Sequence, residues 1–169
     1  KDTALAWWDA YTTGKEEYYG QYEKLTKEHN KLHNNKEEFE RVKKWLDADI
    51  TDSSLKRQLK IIYNEYLIHQ GGLDLLNEIA IKEIIIEKKF NTFRAKVDGK
   101  ELTDNQIKNI LHTEKDSAKL KEAWEANKKQ GGLVEKELLE IIRLRNKLAK
   151  SLGFRNYYEL ALEADEQNI

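Results

Sequence analysis

His29 and His33 are the residues whose types and spacing come nearest to a reactive centre in this sequence. Histidines four positions apart lie on one face of a helix, where both imidazoles can reach a single zinc ion. A metallopeptidase also needs a glutamate directly after the first histidine, as the general base for the zinc-bound water. Here that position is Asn30, whose amide cannot take a proton, and nothing in the sequence indicates a third ligand.

His29 also continues an apolar stripe that includes Tyr22 and Leu25. A histidine at the edge of the core accounts for that position, so we predict no catalytic zinc site here. Metal binding by a helical bundle through His29 and His33 is a minor alternative.

The other polar groups favour structural roles. His69 and His112 fall near predicted helix ends, where a partly charged imidazole suits the negative end of the helix dipole. The sequence has no cysteine, hence no thiol nucleophile or disulfide, and no glycine-rich phosphate loop. We therefore predict that the chain contributes no catalytic residue, no cofactor-binding residue and no metal ligand.

Composition narrows the range of partners. The 169 residues are 36% charged, yet 30 basic and 31 acidic side chains leave a net charge of −1, so no global field attracts nucleic acid or an anionic membrane. The mean hydropathy of −0.84, without a long apolar run or a signal-peptide layout, predicts no membrane partner and a cytoplasmic location.

Because the sequence has no methionine, we expect that Lys1 is not the native start and that the chain is a fragment.

The elements that must position these groups are predominantly helical. No proline and only eight glycines favour long helices over short strands. Apolar spacing and cap residues predict helical segments at 2–13, 15–33, 37–46, from the caps at 51–54 to Gly71, 73–94, 107–112, 116–131, 133–152 and 157–164. The predicted fold class is all-α, an antiparallel bundle of about eight helices in a single domain over residues 1–169.

Two segments carry more specific signals. Asp98-Gly99 between short extended pieces predicts a small β-hairpin near residues 94–102, and Thr103 to Gln106 form a capping box. The segment 133–152 is predicted as an amphipathic helix whose apolar side consists of Leu138, Ile141, Ile142, Leu148 and Leu152, with Gly131-Gly132 ending the helix before it.

Aromatic residues crowd the first two predicted helices: Trp7, Trp8, Tyr11, Tyr18, Tyr19 and Tyr22. We expect most of them in the core; the alternative is a peptide-binding wall or an interface. Arg94 and the pair Arg145-Asn146 lie in apolar stretches, so they are either buried and paired or face a groove.

Four motifs together resemble one family of enzymes. They are AWWDAYTTG at 6–14, FNTFRAKVDGK at 90–100 followed by LTDN at 102–105, AWEA at 123–126, and LRNKLAKSLGFRNYY at 144–158. In this order they resemble the first half of zinc peptidases related to oligoendopeptidase F and thimet oligopeptidase, with angiotensin-converting enzyme as a more distant relative.

The resemblance implies a helical, clam-like enzyme that cuts short peptides in a deep channel between two halves. In that family, two histidines of a His-Glu-x-x-His helix and a later glutamate bind the zinc, and the motif glutamate activates water. No His-Glu-x-x-His occurs in these 169 residues, so no catalytic residue carries over.

The leading interpretation is the N-terminal substrate-channel or lid domain of a zinc oligopeptidase, inactive by itself. Its expected partners are the C-terminal catalytic half of the same polypeptide and short peptides, with neither nucleic acid nor membrane. Zinc belongs to the parent enzyme and no cofactor to this chain. The alternative is a stand-alone helical module that grips a partner helix in an aromatic groove.

Overall fold

The computed structural model describes residues 1–167 and confirms the all-α class with one small hairpin. Within this range the elements are α1 (Asp2–Thr13), α2 (Glu16–His33), α3 (Lys36–Leu46), α4 (Ser53–Ile68), α5 (Leu73–Thr92), β1 (Ala95–Val97), β2 (Lys100–Leu102), α6 (Asp104–Thr113), α7 (Ser117–Ser151) and α8 (Tyr157–Ala164).

Short polar side chains begin most of these helices. Each accepts hydrogen bonds from backbone N–H groups of the first turn, which have no partner inside the helix. The capping residues are Asn35 for α3, Asp52 for α4, Thr103 for α6, Asp116 for α7 and Asn156 for α8. The predicted capping box is confirmed, since Thr103 and Gln106 bond each other's backbone N–H.

The hairpin pairs β1 with β2 in the antiparallel register Ala95 with Leu102 and Val97 with Lys100. Asp98 and Gly99 both adopt positive φ, 48° and 73°, as a two-residue hairpin turn requires. Ala95 is buried against α7 together with Ile107 of α6. The hairpin therefore rests on the long helix.

The predicted helix break at Gly131-Gly132 is wrong, because α7 runs through both glycines for 35 residues. A glycine inside a helix costs about 0.5–1 kcal/mol relative to alanine. Packing against α5 outweighs that cost: Val134 is buried, Gln130 Nε2 donates to the Phe90 carbonyl at 2.7 Å, and Lys89 Nζ donates to the Leu133 carbonyl at 3.1 Å.

The main core lies between α4, α5, α7 and α8. It consists of Leu67, Leu76, Ile79, Ile141, Leu148, Ala149 and Leu160. Two smaller clusters flank it, one under the hairpin and one where Ala10, Tyr19 and Ile84 meet between α1, α2 and α5.

Candidate substrate cleft and apolar surfaces

Helix α1 packs through its smallest side chains. Ala6 and Ala10 are buried, whereas Trp7, Trp8 and Tyr11 are exposed, Trp8 by 59% of its surface. The methyl groups let α1 approach α2 closely, and the rings of Trp7 and Tyr11 stack on the outer side, 5.2 Å apart. The expectation that most aromatics of the first two helices lie in the core is therefore wrong for α1.

The aromatics of α2 do pack inward. Tyr19 is buried, and Tyr18 and Tyr22 lie against the same small cluster. Asn91 Nδ2 donates to the Tyr19 hydroxyl at 3.2 Å and to the Tyr11 carbonyl at 2.6 Å, so one α5 side chain holds both first helices.

A cleft of about 780 Å³ opens where α1 and α5 end, between them and the hairpin, α6 and the first half of α7. Its wall consists of Tyr11, Phe90, Asn91, Phe93, Arg94, Ala95, Thr103, Asp104, Asn105, Lys108, Asn127, Lys128, Gln130 and Gly131. Aromatic rings, amides and charges thus share one concave surface, as in sites that hold a small or extended ligand.

Three cations line this cleft. Lys108 Nζ pairs with Asp104 at 2.6 Å, and Arg94 donates to the carbonyls of Asn91 and Phe93 at 3.0 and 2.6 Å. Lys128 lies over the Trp124 ring, 5.4 Å from its centroid. Arg94 is exposed and faces the groove, the second of the two options from the sequence, while its guanidinium secures the end of α5.

Arg145 and Asn146 are paired structurally, as one of the two options predicted, but both are only partly buried. Arg145 Nε donates to Glu83 at 3.2 Å, and its guanidinium lies 5.0 Å from the Tyr157 ring centroid. Asn146 Oδ1 accepts from the Tyr157 N–H at 2.9 Å. Together they attach the start of α8 to α7.

The outer face of α7 is apolar and exposed. Leu138, Leu139 and Ile142 each show nearly half of their surface to solvent. The prediction that Leu138 and Ile142 lie on the buried side is wrong, whereas Ile141 and Leu148 do enter the core and Leu152 packs against it. The helix has more apolar faces than the described elements cover.

Tyr22 and Glu87, which lie between α2 and α5, have shifted pKa values. Burial, together with the Glu87 and Glu83 carboxylates, raises the pKa of Tyr22 to about 12. Burial also raises the pKa of Glu87, and the neighbouring Glu83 carboxylate adds to that shift.

His29 and His33 share one face of α2, with ring centroids 4.2 Å apart, and they face α4 away from the cleft. His29 Nε2 lies 3.7 Å from a Glu65 oxygen. Burial, with the neighbouring His33 and His69 rings, lowers the pKa of His29, and burial lowers the pKa of His69. Sequence reasoning missed Glu65, because only the packing of α4 on α2 brings it to the histidines.

These residues do not fit a catalytic zinc. Asn30, at the position of the general base, is buried and donates from Nδ2 to Asn77 Oδ1 at 3.1 Å, toward α5.

His69 follows the last turn of α4 and His112 lies in the last turn of α6, which confirms their predicted positions at helix ends.

Among residues 1–167, none of the helices is both long enough and apolar enough to cross a membrane.

Comparison with known proteins identifies the family. Neither the curated proteins nor the solved structures contain a significant match. The family model described as angiotensin-converting enzyme matches residues 1–168, nearly the whole chain. The resemblance to oligoendopeptidase F and thimet oligopeptidase stays untested by this match. The chain belongs to the angiotensin-converting enzyme family of peptidases.

Proposed function

We propose that this chain is the N-terminal wall and lid of the substrate channel in a zinc-dependent peptidase that hydrolyses short peptides. By itself it cleaves no peptide bond. The observation that carries the proposal is the packing of α1, which buries alanines and presents Trp7, Trp8 and Tyr11 outward. Within a member of this peptidase family, an aromatic surface beside a cleft suits the recognition of a peptide.

Aromatic rings suit short peptides because they offer a large, stiff contact area at little cost in side-chain entropy. Tyr11 lies on α1 and also lines the cleft, so the aromatic face of α1 leads directly into it. A peptide lying there would contact rings on one side and the amide groups of Asn105 and Asn127 on the other.

The charge of the cleft supports the same proposal. Arg94 and Lys128 face it, while Lys108 is neutralised by Asp104. The resulting excess of positive charge favours peptides that carry carboxylates.

The exposed face of α7 supports a further partner. Leu138, Leu139 and Ile142 form an apolar strip that a catalytic half of the same polypeptide would cover. The family zinc and its ligands would lie in that half, because these 169 residues have no His-Glu-x-x-His sequence. The channel would then form between the two halves.

An internally quenched peptide tests the catalytic part of the proposal. We expect no cleavage by the chain, with or without added Zn²⁺. Cleavage that a chelator abolishes, and that His29→Ala and His33→Ala leave unchanged, would show a catalytic centre within the chain and contradict the proposal.

Peptide binding tests the wall. Anisotropy of a fluorescein-labelled decapeptide should show weak binding, and Trp8→Ala should weaken it about three- to tenfold, the range of one aromatic contact. Trp45→Ala is the matched control, because Trp45 is similarly exposed but lies on α3, which contributes no residue to the cleft wall, whereas α1 contributes Tyr11. An equal loss in both variants, or none in Trp8→Ala, would argue against the α1 surface.

A further inference from the structure

We propose that His29, His33 and Glu65 bind one divalent transition-metal ion of the zinc class, which clips α2 to α4. This goes beyond the peptidase function and does not depend on it. Within residues 1–167, their three ligand atoms lie within 4.8 Å of one another. Two imidazoles and a carboxylate form a donor set that Zn²⁺ favours, with water completing a tetrahedron.

The tautomer of His33 leaves one ring nitrogen free to bind a metal ion. Its Nδ1 lies 3.1 Å from the His29 carbonyl oxygen, 4 residues back along α2. Because a carbonyl oxygen only accepts, this contact places the proton on Nδ1 and leaves the Nε2 lone pair free. Ligating histidines commonly donate their second ring N–H to a backbone carbonyl in this way.

His69 lies beside the carboxylate, with its Nδ1 3.8 Å from a Glu65 carboxylate oxygen. Its Nδ1 lies 2.6 Å from the Glu65 carbonyl oxygen, and its ring centroid is 5.3 Å from that of His29 and 5.2 Å from that of His33. The buried His69 ring therefore limits the directions that the Glu65 side chain can take.

The backbone around the cluster is held independently of any ion. Asn34 Nδ2 donates to the carbonyls of His69 and Gly71 at 2.5 and 2.7 Å, and Gln70 Nε2 donates to the His33 carbonyl at 3.0 Å. These bonds join the carboxyl-terminal ends of α2 and α4. The ligands are thus brought together before an ion binds, which lowers the entropic cost of binding.

Only a small adjustment closes the site. A zinc ion about 2.1 Å from each donor holds the ligand atoms roughly 3.4 Å apart, so side chains must move by about 1 Å. The side chains of His29 and Glu65 are 41% and 43% exposed, so they can rotate without disturbing the core. Since Asn30 is bonded to Asn77 on the α5 side, the position that carries the general base in a His-Glu-x-x-His helix holds an amide turned away from the ion, and the role proposed for the ion is structural.

Calorimetric titration of the chain, prepared without a polyhistidine tag, with Zn²⁺ tests the proposal. We expect one ion per chain, and a visible absorption spectrum of tetrahedral type when Co²⁺ replaces Zn²⁺. His33→Ala and Glu65→Gln should each weaken Zn²⁺ binding by at least about tenfold. Zn²⁺ should raise the Tm of the wild type but not of these variants.

His112→Ala is the matched control, because His112 is exposed in the last turn of α6 and outside the cluster. It should bind Zn²⁺ like the wild type. Unchanged affinity in Glu65→Gln would overturn the three-ligand site, and so would an equal loss in His112→Ala or the absence of a bound ion in the wild type. Circular dichroism of each variant separates a lost ligand from a lost fold, and His29→Gln provides a second ligand variant.

Discussion

Helices α1 and α8 are both short and rich in apolar residues, yet they bury opposite kinds of side chain. In α8, Leu160 is completely buried between α4 and α7, while Tyr158 is 71% exposed. In α1, the buried residues are alanines and the large rings face outward. Hydrophobic stabilisation scales with apolar area removed from water, about 25 cal/mol per Å².

The difference separates stability from recognition. The α8 end of the molecule adds to the main core, and Lys60 with Glu163 at 2.6 Å also holds it to α4. The α1 end contributes little buried volume but presents Trp7, Trp8 and Tyr11 outward, and Tyr11 lines the cleft. Large apolar groups that are not used for folding remain available for a ligand or for another part of the protein.

The largest expected effect contrasts one residue from each end. Leu160→Ala should lower the free energy of unfolding by about 3 kcal/mol, because it leaves a cavity in the core. Trp8→Ala removes a larger side chain but should change that free energy by less than about 0.5 kcal/mol. Urea denaturation followed by circular dichroism measures both, and a comparable loss in Trp8→Ala would show that α1 contributes to the core.

A medium effect concerns how each terminal helix is joined to its neighbour. Gly14 after α1 and Gly153 before α8 have φ of 68° and 90°, so alanine at either position should cost about 1 kcal/mol through left-handed strain.

Gly132, inside α7, is helical with open space for a Cβ, so Gly132→Ala should stabilise the protein by about 1 kcal/mol. Shifts in urea midpoint test the signs; destabilisation by Gly132→Ala would show that the added methyl group does not have the open space on which this prediction rests.

The smallest effect lies between the two ends, at Glu87. Its raised pKa means that the folded state holds the proton more tightly than the unfolded state. The stability that this group contributes is therefore present at low pH and lost as the pH rises through the raised pKa. Glu87→Gln should be more stable than the wild type near pH 7 by about a few tenths of a kcal/mol, since half-exposed charges are screened.

The Glu87 difference should shrink as the pH falls through the carboxyl range, which thermal unfolding at several pH values measures. Glu137→Gln is the opposite control: the hydrogen bond from Lys89 lowers the pKa of Glu137, so this variant should lose stability near neutral pH. A pH-independent gain in Glu87→Gln would mean that its carboxylate is not the cause.

Much of the local structure was predictable. Apolar spacing and short polar caps predicted the helical segments, the hairpin near 94–102 and the capping box at Thr103. The helix break predicted at Gly131-Gly132 does not occur. The low helix propensity of glycine costs only about 1 kcal/mol per residue, and the contacts of α7 with α5 outweigh that cost.

The sequence by itself determined the fold class and the wider group of peptidases to which the chain is related, since helix periods, caps and ordered motifs are written along the chain. Only the tertiary structure decided which apolar face each helix buries. Helices with more than one apolar face, such as α1 and α7, can pack in more than one way, and the fit of neighbours selects Ala10 over Trp8 and Ile141 over Ile142. The tertiary structure also brings Glu65 next to His29, although the two are 36 residues apart in the sequence. Which side chains form such a cluster depends on how the helices pack, and the spacing along the chain does not reveal it.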